Sequence, residues 1–476
     1  MPVQQLHVLF TNDLHSRFES MPRISSAFRM IRGRCGRDRV IAVDVGDHMD
    51  RMRPETEGTA GLSNIEVLNY MEYDVAVPGN NEGLTFEREL LHRLYGKAAA
   101  FSTVCGNLQE LKKGKPPSWL KPYTIVERNG VRTGLIGLTA AFNDFYHPLG
   151  WHALPPLEAA EQWVRELRPH VHVLIVLSHL GLPTDETMAR TIEGIDCIIG
   201  AHTHHLLKEP LFVNGTMISA AGKYGAYFGE AVFEVDIDRG EVVRKDARCY
   251  ESADFPEDDG LAALISRQAA AAKASLSESV AELDRDLSNS WSQESELGNL
   301  LASGLRRWTG SDIGIVNAGQ LLAPLSKGAV TRETILDICP SPINPCLMLL
   351  PGDVLLRTLE EALLDEMIEK PIMGFGFRGK VLGTLCVDGL DIVYERSAPP
   401  YRKIRRVLVG GAPLRPERWY RVGTIDMFTF GVGYRGFLEG KQIRYYLPEL
   451  LRDVLVKQLR DREQLKASSR KRWREN

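Results

Sequence analysis

The sequence predicts an α/β protein of two domains, on three observations. Its 476 residues exceed what a single hydrophobic core usually organises. The first half alternates short β-branched runs with helical patterns, as a sheet buried on both faces requires. Near residue 255 that alternation gives way to an alanine-rich helical stretch, after which a second set of strands and helices begins.

The strand runs of the first half are "HVLFTND", "RVIAVDVGD", "YDVAVPGN", "RTGLIGLTA", "HVLIVLSH" and "DCIIGAH". Helical patterns such as "LSNIEVLNYM" and "LEAAEQWVRELRP" lie between several of them. "GEAVFEVDIDRGEVVRKDARCYE" then alternates apolar and polar residues around a "DRG" turn, as a hairpin at the closing edge of a domain does. Pro256 and two aspartates open the next stretch, so residues 256–288 read as a helix joining domain 1–255 to domain 289–476. In that second domain come the helix "SELGNLLASGLRRW", the strand "DIGIVN", the helix "GDVLLRTLEEALLDEMIE" and the strands "LDIVYE", "RKIRRVLVG" and "WYRVGTID". They make a second α/β or α+β unit.

Hydrophobic content of 44% and charged content of 25% exclude a disordered chain. A net charge of -4 gives no global signal for a nucleic-acid or membrane partner, and nothing marks an obligate protein partner. No apolar run reaches the ~18 residues needed to span a bilayer. "MPVQQLHVLFTND" lacks a basic stretch followed by a long apolar one, so the expected location is cytoplasmic. The seven cysteines form no C-x-x-C pair, and several lie in apolar runs such as "DCIIG" and "LCV". They read as small buried hydrophobes in a reducing compartment. The basic tail "KQLRDREQLKASSRKRWREN" reads as a solvated or frayed C-terminal helix.

The strand ends carry the chemistry. "HVLFTNDLH" ends in Asp13 and His15, "VIAVDVGD" in Asp47, "DVAVPGN" in Asn80, "VLIVLSH" in His179 and "CIIGAHTH" in His202 and His204. Ligands of open α/β sheets bind at the carboxyl ends of the strands, so these side chains are expected at one edge. Imidazoles, carboxylates and an amide oxygen without a thiolate suit Mn²⁺, Zn²⁺, Ni²⁺ or Fe²⁺. Seven donors exceed the needs of one ion and fit two divalent metal ions ~3.5–4 Å apart with a bridging carboxylate. Such a pair lowers the pKa of the water between its ions and holds a phosphoryl oxygen against the hydroxide, which points to phosphoester hydrolysis.

The series D-x-H, G-D, G-N-[NH]-E, S-H-L-G and G-x-H-T-H resembles the calcineurin-like metallophosphoesterases. "SELGNLLASGLRRWTGSDIGIVNAGQL" resembles the C-terminal domain of 5′-nucleotidases. In this order the two are similar to the bacterial 5′-nucleotidase, UDP-sugar hydrolase and cyclic phosphodiesterase family. The resemblance implies a β-sandwich flanked by helices, a linker helix and a substrate-binding α/β (α+β) domain. It puts Asp13, His15, Asp47 and His204 on one metal, and Asp47, Asn80, His179 and His202 on the other. It also implies a small-molecule nucleotide substrate, with the second domain binding the nucleoside and closing over the metals by rotating on the linker helix.

The chain departs from that pattern in both domains. Many relatives read G-N-H-E-F-D, and their histidine and aspartate help stabilise the transition state. Here Asn81 and Leu84 stand at those places. Asn81 can donate a hydrogen bond to a phosphoryl oxygen but brings no proton or charge, and His48 and His205 are spare histidines nearby. Asn81 and His48 are the candidate catalytic residues. Leu322 replaces a phosphate-binding arginine, and "FTFGVGYRGF" lacks the aspartate of the usual G-G-D-G loop. Phe375, Phe377, Phe428 and Phe430 are the candidates for stacking a base, with Arg378 and Lys380 as substitutes for the arginine. The competing readings are a nucleotide-binding module with weakened catalysis and a nuclease-like core anchored by the basic tail.

Overall fold

The computed structural model describes residues 3–476, which separate into two compact units, one through Lys273 and one from Ala274 onward. In the first unit a seven-stranded sheet has the order Glu241–Glu251, Tyr227–Asp236, Val3–Thr11, Val40–Asp44, Val75–Ala76, Ser102–Val104, Leu120–Lys121. From Val3–Thr11 onward neighbours are parallel, while the terminal hairpin is antiparallel. A six-stranded sheet has the order Leu211–Val213, Thr216–Ser219, Cys197–Gly200, Val173–His179, Val131–Thr139, Tyr123–Arg128. Its four central strands are parallel.

Side-chain alternation along these strands builds the layers. Leu6, Val8 and Phe10 point with Ile41 and Val43 into a core shared with Leu135, Ile175, Leu177 and Ile199 of the other sheet. The alternate residues face helices instead. Leu9 and Ala42 pack with Phe28 and Ile65 from Met21–Cys35 and Leu62–Tyr70. Leu174 and Val176 pack with Ala160, Val164 and Met188 from Pro156–Leu167 and Leu182–Thr191. The result is a β-sandwich with helices on both outer faces. Each fully buried large apolar side chain stabilises it by about 1.5–3 kcal/mol.

In the second unit a five-stranded sheet has the order Leu385–Asp388, Ile313–Asn317, Trp419–Ile425, Pro345–Pro351, Lys441–Tyr445. The helix Glu296–Thr309 packs on it through Leu297, Leu301 and Leu305. A four-stranded sheet of Ala412–Pro413, Ile404–Val409, Leu390–Tyr394 and Trp473–Glu475 completes the unit.

Two expectations change. The helix expected over 256–288 is Asp259–Leu276, and Ser279–Leu283 is a strand paired with Gly328–Thr331. The tail is only partly a helix, Arg462–Ala467, and its end is a strand: Trp473–Glu475 pairs in parallel with Leu390–Tyr394. Its indole N–H donates to the Leu385 carbonyl, and the buried Arg472 guanidinium lies 2.9 Å from Asp388 while capping the carbonyls of Ala467, Ser468 and Arg470. Counting cations as solvated overlooked the buried acceptors waiting for this one. Among the described residues no helix is long and apolar enough to cross a membrane.

Candidate metal centre

Five loops converge at the carboxyl edge of the sandwich, and backbone hydrogen bonds fix their spacing. The amides of Asp13, His15 and Ser16 donate to the carbonyls of Gly46, Asp47 and His48 at 3.0, 2.9 and 3.0 Å. Glu82, fully buried, accepts from the amides of Met49, Asp47 and Gly79 at 2.7, 3.0 and 2.7 Å, clamping the G-D loop to the G-N loop. The close approach explains two glycines. A Cβ on Gly46, whose φ is +91°, would lie 2.7 Å from the Gly79 nitrogen, and a Cβ on Gly79 would strike the Asp47 carboxylate.

Five of the seven predicted ligands hold left-handed backbone: Asp13 (φ 49°), His15 (47°), Asp47 (50°), His202 (71°) and His204 (58°). That conformation costs an L-residue about 1–2 kcal/mol, so it persists where the surroundings over-determine it. Here it turns successive side chains inward from chains that have just left their strands.

The side chains form two adjoining clusters. In one, His15 Nε2 lies 3.2 Å from His204 Nε2 and 3.9 Å from Asp13 Oδ1, with His204 Nε2 3.5 Å from the same Oδ1. In the other, His179 Nε2 lies 3.3 Å from Asp47 Oδ1 and 3.2 Å from Asn80 Oδ1. Asp47 Oδ2 lies 4.0 Å from His15 Nε2, so this carboxylate faces both clusters. The His202 ring centroid is 5.2 Å from that of His179, and its backbone N–H donates to the Asp13 carboxylate. The His179 Nδ1–H donates to the Val45 carbonyl at 2.8 Å, which leaves Nε2 as the ring's ligand atom.

Charge in this space is unbalanced. Burial pushes the Asp13 carboxyl up to about 6 against the pull of His179, while Asp47 is held well below the usual carboxylate range because His179 outweighs its burial. Burial opposes protonation of His179, but the Asp47 charge and hydrogen bond prevail and raise it to about 10. Burial and the neighbouring imidazoles push His202 and His204 down to about 4, leaving them neutral donors at pH 7. Buried carboxylates, neutral imidazoles and an amide oxygen fit divalent cations, and a cation would displace the His179 proton.

Two family models match the chain: calcineurin-like phosphoesterase over residues 6–206 and 5′-nucleotidase C-terminal domain over residues 270–439. It is 35% identical over 457 residues to "Uncharacterized metallophosphoesterase YunD" of Bacillus subtilis (strain 168), covering 95% of this chain and 98% of that one. The chain belongs to the calcineurin-like metallophosphoesterases. They are metal-dependent phosphoester hydrolases, and this member carries the 5′-nucleotidase architecture. The fold agrees with the 5′-nucleotidase precursor of Thermus thermophilus, with a TM-score of 0.60 at 23% identity over 99% of each chain. It also agrees with the NAD nucleotidase of Haemophilus influenzae, with a TM-score of 0.69 at 16% identity over 100% and 98% of the two chains.

The metallophosphoesterase brings all seven predicted ligands to one edge, but the two candidate catalytic residues take other places. Asn81 turns its amide nitrogen to His15 Nδ1 at 3.0 Å and donates to the Met49 carbonyl at 3.1 Å. His48 is buried behind the site, Nδ1 3.1 Å from Asp44 and Nε2 3.1 Å from the Tyr95 hydroxyl, so both ring nitrogens are engaged away from the ligand atoms. His205 meets the Thr203 hydroxyl at 2.8 Å.

In the second unit the four phenylalanines separate. Phe377 and Phe428 are core residues, Phe428 stacked on Phe437 with centroids 4.5 Å apart. Phe375 and Phe430 are 59% and 47% exposed and lean on each other, centroids 6.1 Å apart and rings 30° from parallel. Arg378 donates its backbone N–H to Ser341 Oγ and its guanidinium to the Phe377 carbonyl.

Sequence reasoning missed the supports of this edge. Asn12 donates to Asp13 Oδ2 at 2.8 Å, and Asp50 lies 3.7 Å from His15 Nδ1. Tyr224 packs edge-on to His15 at 5.6 Å with Arg17 and Lys223 over its ring. Asn12, Asp50 and Glu82 each stand within the "TND", "GDHMD" and "GNNE" motifs, where a polar residue beside a ligand was the available signal. Tyr224 carried no such mark.

Proposed function

We propose that this protein hydrolyses nucleotides at two divalent metal ions. One ion is held by Asp13, His15, Asp47 and His204, the other by Asp47, Asn80, His179 and His202. What carries the reading is the Asp47 carboxylate, with one oxygen 3.3 Å from His179 Nε2 and the other 4.0 Å from His15 Nε2. The ions, when bound, supply Lewis acidity and an activated water at neutral pH. The chain's own groups fix the ligand atoms, and the Glu82 clamp holds the two loops in register.

The substrate preference follows from Asn81. Where relatives place a histidine, this chain has an amide aimed at His15 and Met49, so the transition state receives neither a proton nor a positive charge from that position. Substrates with more acidic leaving groups, phosphoanhydrides and activated aryl esters, therefore gain over simple nucleoside monophosphates. The exposed Phe375–Phe430 pair in the second unit supplies a face for the base.

The test is phosphate release from nucleotides, nucleotide sugars and p-nitrophenyl phosphate with a panel of metals. Hydrolysis should vanish with chelator and return with Mn²⁺, and metal analysis should find two manganese ions per chain. Higher kcat/KM on AMP or UMP than on anhydrides would remove the leaving-group preference, and nucleotide binding without turnover would favour the decayed module.

A further inference from the structure

We infer that the protein holds a second, thiolate-containing metal site beside the middle of its first strand, formed by His7, Cys35 and Glu230. His7 lies four residues before the end of Val3–Thr11, about 13 Å at ~3.3 Å per residue, and Asp13 stands beyond that end. Its position in the alternation sends its ring toward the helix Met21–Cys35, whose last residue is Cys35. Glu230 reaches the same point from the adjacent strand Tyr227–Asp236.

Three chemically different donors meet there. His7 Nδ1 is 2.8 Å from Glu230 Oε1 and 3.8 Å from Cys35 Sγ, and one ligand atom from each residue lies within 4.8 Å of the others. Tetrahedral zinc bonded to nitrogen, oxygen and sulfur at its usual lengths would separate nitrogen from oxygen by about 3.4 Å and nitrogen from sulfur by about 3.6 Å. Reaching that geometry lengthens the nitrogen–oxygen separation by about 0.6 Å and shortens the nitrogen–sulfur one by about 0.2 Å, and water supplies the fourth position.

The surroundings suit a ligating carboxylate. The Tyr250 hydroxyl donates to Glu230 Oε2 at 2.9 Å, leaving Oε1 for the metal, which is the outer support ligating carboxylates usually have. His7 and Glu230 are buried, and Cys35 is the one cysteine of the seven that is not, which gives an ion a way in. Binding at Nδ1 releases the Cys35 thiol proton to solvent and leaves the single ring proton of His7 on Nε2. The thiolate and carboxylate then neutralise a divalent ion beside a neutral imidazole. The Arg34 guanidinium sits 3.1 Å from Glu230 Oε1 and competes for the position, but its side chain is 62% exposed and free to withdraw into water.

Softness sorts the two sites. The catalytic edge offers only nitrogen and oxygen donors, whereas a thiolate selects zinc or cobalt over manganese. The ion would tie the first strand to the end of its covering helix and to the hairpin strand.

The experiment is a Co²⁺ titration of the full chain pre-loaded with Mn²⁺, read as the near-ultraviolet thiolate-to-cobalt charge-transfer band that the catalytic edge cannot produce. The band should saturate at one equivalent and disappear in Cys35→Ser, while that variant keeps wild-type hydrolysis of p-nitrophenyl phosphate. His7→Asn should weaken it, with circular dichroism confirming the fold, and Arg34→Gln should sharpen the titration by removing the competing cation. Absence of the band, its persistence in Cys35→Ser, or weaker binding in Arg34→Gln would overturn the site. The readout does not depend on which phosphoester the enzyme turns over, so its failure is separate from failure of the nucleotide reading.

Discussion

In the first unit Asp13, Asp47 and His179 are almost wholly buried, and each is held by donors or acceptors from another loop. In the second unit the candidates Phe375 and Phe430 stand in solvent on glycine-rich turns, where Gly374, Phe375 and Gly376 hold three successive positive φ angles. The first region sets polar atoms to a fraction of an ångström through a network. The second offers a flat apolar face that tolerates many partners. Chemistry on a phosphorus centre needs the former, and holding a base needs only the latter.

The largest way to break the contrast is Asp47→Ala. Its carboxylate accepts the Asn81 N–H at 2.8 Å and faces both clusters, so on the two-ion proposal its loss removes a ligand from each ion. We expect kcat to fall by at least about 10³, equivalent to about 4 kcal/mol, with metal content dropping in parallel. Retention of more than a tenth of the activity would show that the clusters do not act together.

A buried carboxylate in the second unit lacks such a network of counter-charges. Burial pushes Asp426 up to about 7, only partly opposed by backbone hydrogen bonds. A raised carboxyl binds its proton more tightly folded than unfolded, so stability is fully present below about pH 4 and is lost as pH rises through about 7. The span of about 3 pK units corresponds to about 4 kcal/mol. Urea unfolding of Asp426→Asn should therefore show a gain over the wild type at pH 8 that disappears by pH 4. A pH-independent difference would refute it.

The same contrast decides what could be read in the sequence. The strands of the sandwich were legible because alternation and β-branched runs report burial directly, as in "HVLIVLSH" and Val173–His179. The convergence of these side chains was legible because aspartates and histidines seldom follow five apolar strands without a reason. Short strands such as Ser102–Val104 and Leu120–Lys121 have too few residues to show a period and were not seen. Phe428 and Phe430 could not be told apart either: an aromatic two positions away from another carries the same composition whether it meets Phe437 or solvent. Asn81 was visible as a substitution, but its direction, toward His15 rather than outward, depends on how closely the G-D loop approaches.

Glu82→Gln sharpens the network side of the comparison. The carboxylate accepts through both oxygens, whereas an amide accepts through one and turns its N–H₂ against a backbone N–H at the other. Asp47 and the loop carrying Asn80 should lose their register, lowering kcat or metal affinity by about 10–100-fold without a change in substrate KM at saturating metal. Unchanged metal dependence would reduce Glu82 to a packing residue.

The smallest effect belongs to Phe430→Ala. A stacked base is worth about 1–3 kcal/mol, so KM for nucleotides should rise roughly tenfold while KM for ribose 5-phosphate, which has no aromatic ring, stays put. The two rings now lean on each other with centroids 6.1 Å apart, so a base takes the outer face of the pair or the pair must open to admit it. Phe428→Ala supplies the contrast: it leaves a cavity against Phe437 and should lower stability instead of raising KM. If Phe430→Ala left every KM unchanged, the exposed pair would be surface apolar area and the base would be held elsewhere. If it raised both KM values equally, the pair would serve the second unit's loop rather than the base, because ribose 5-phosphate carries no aromatic ring to stack.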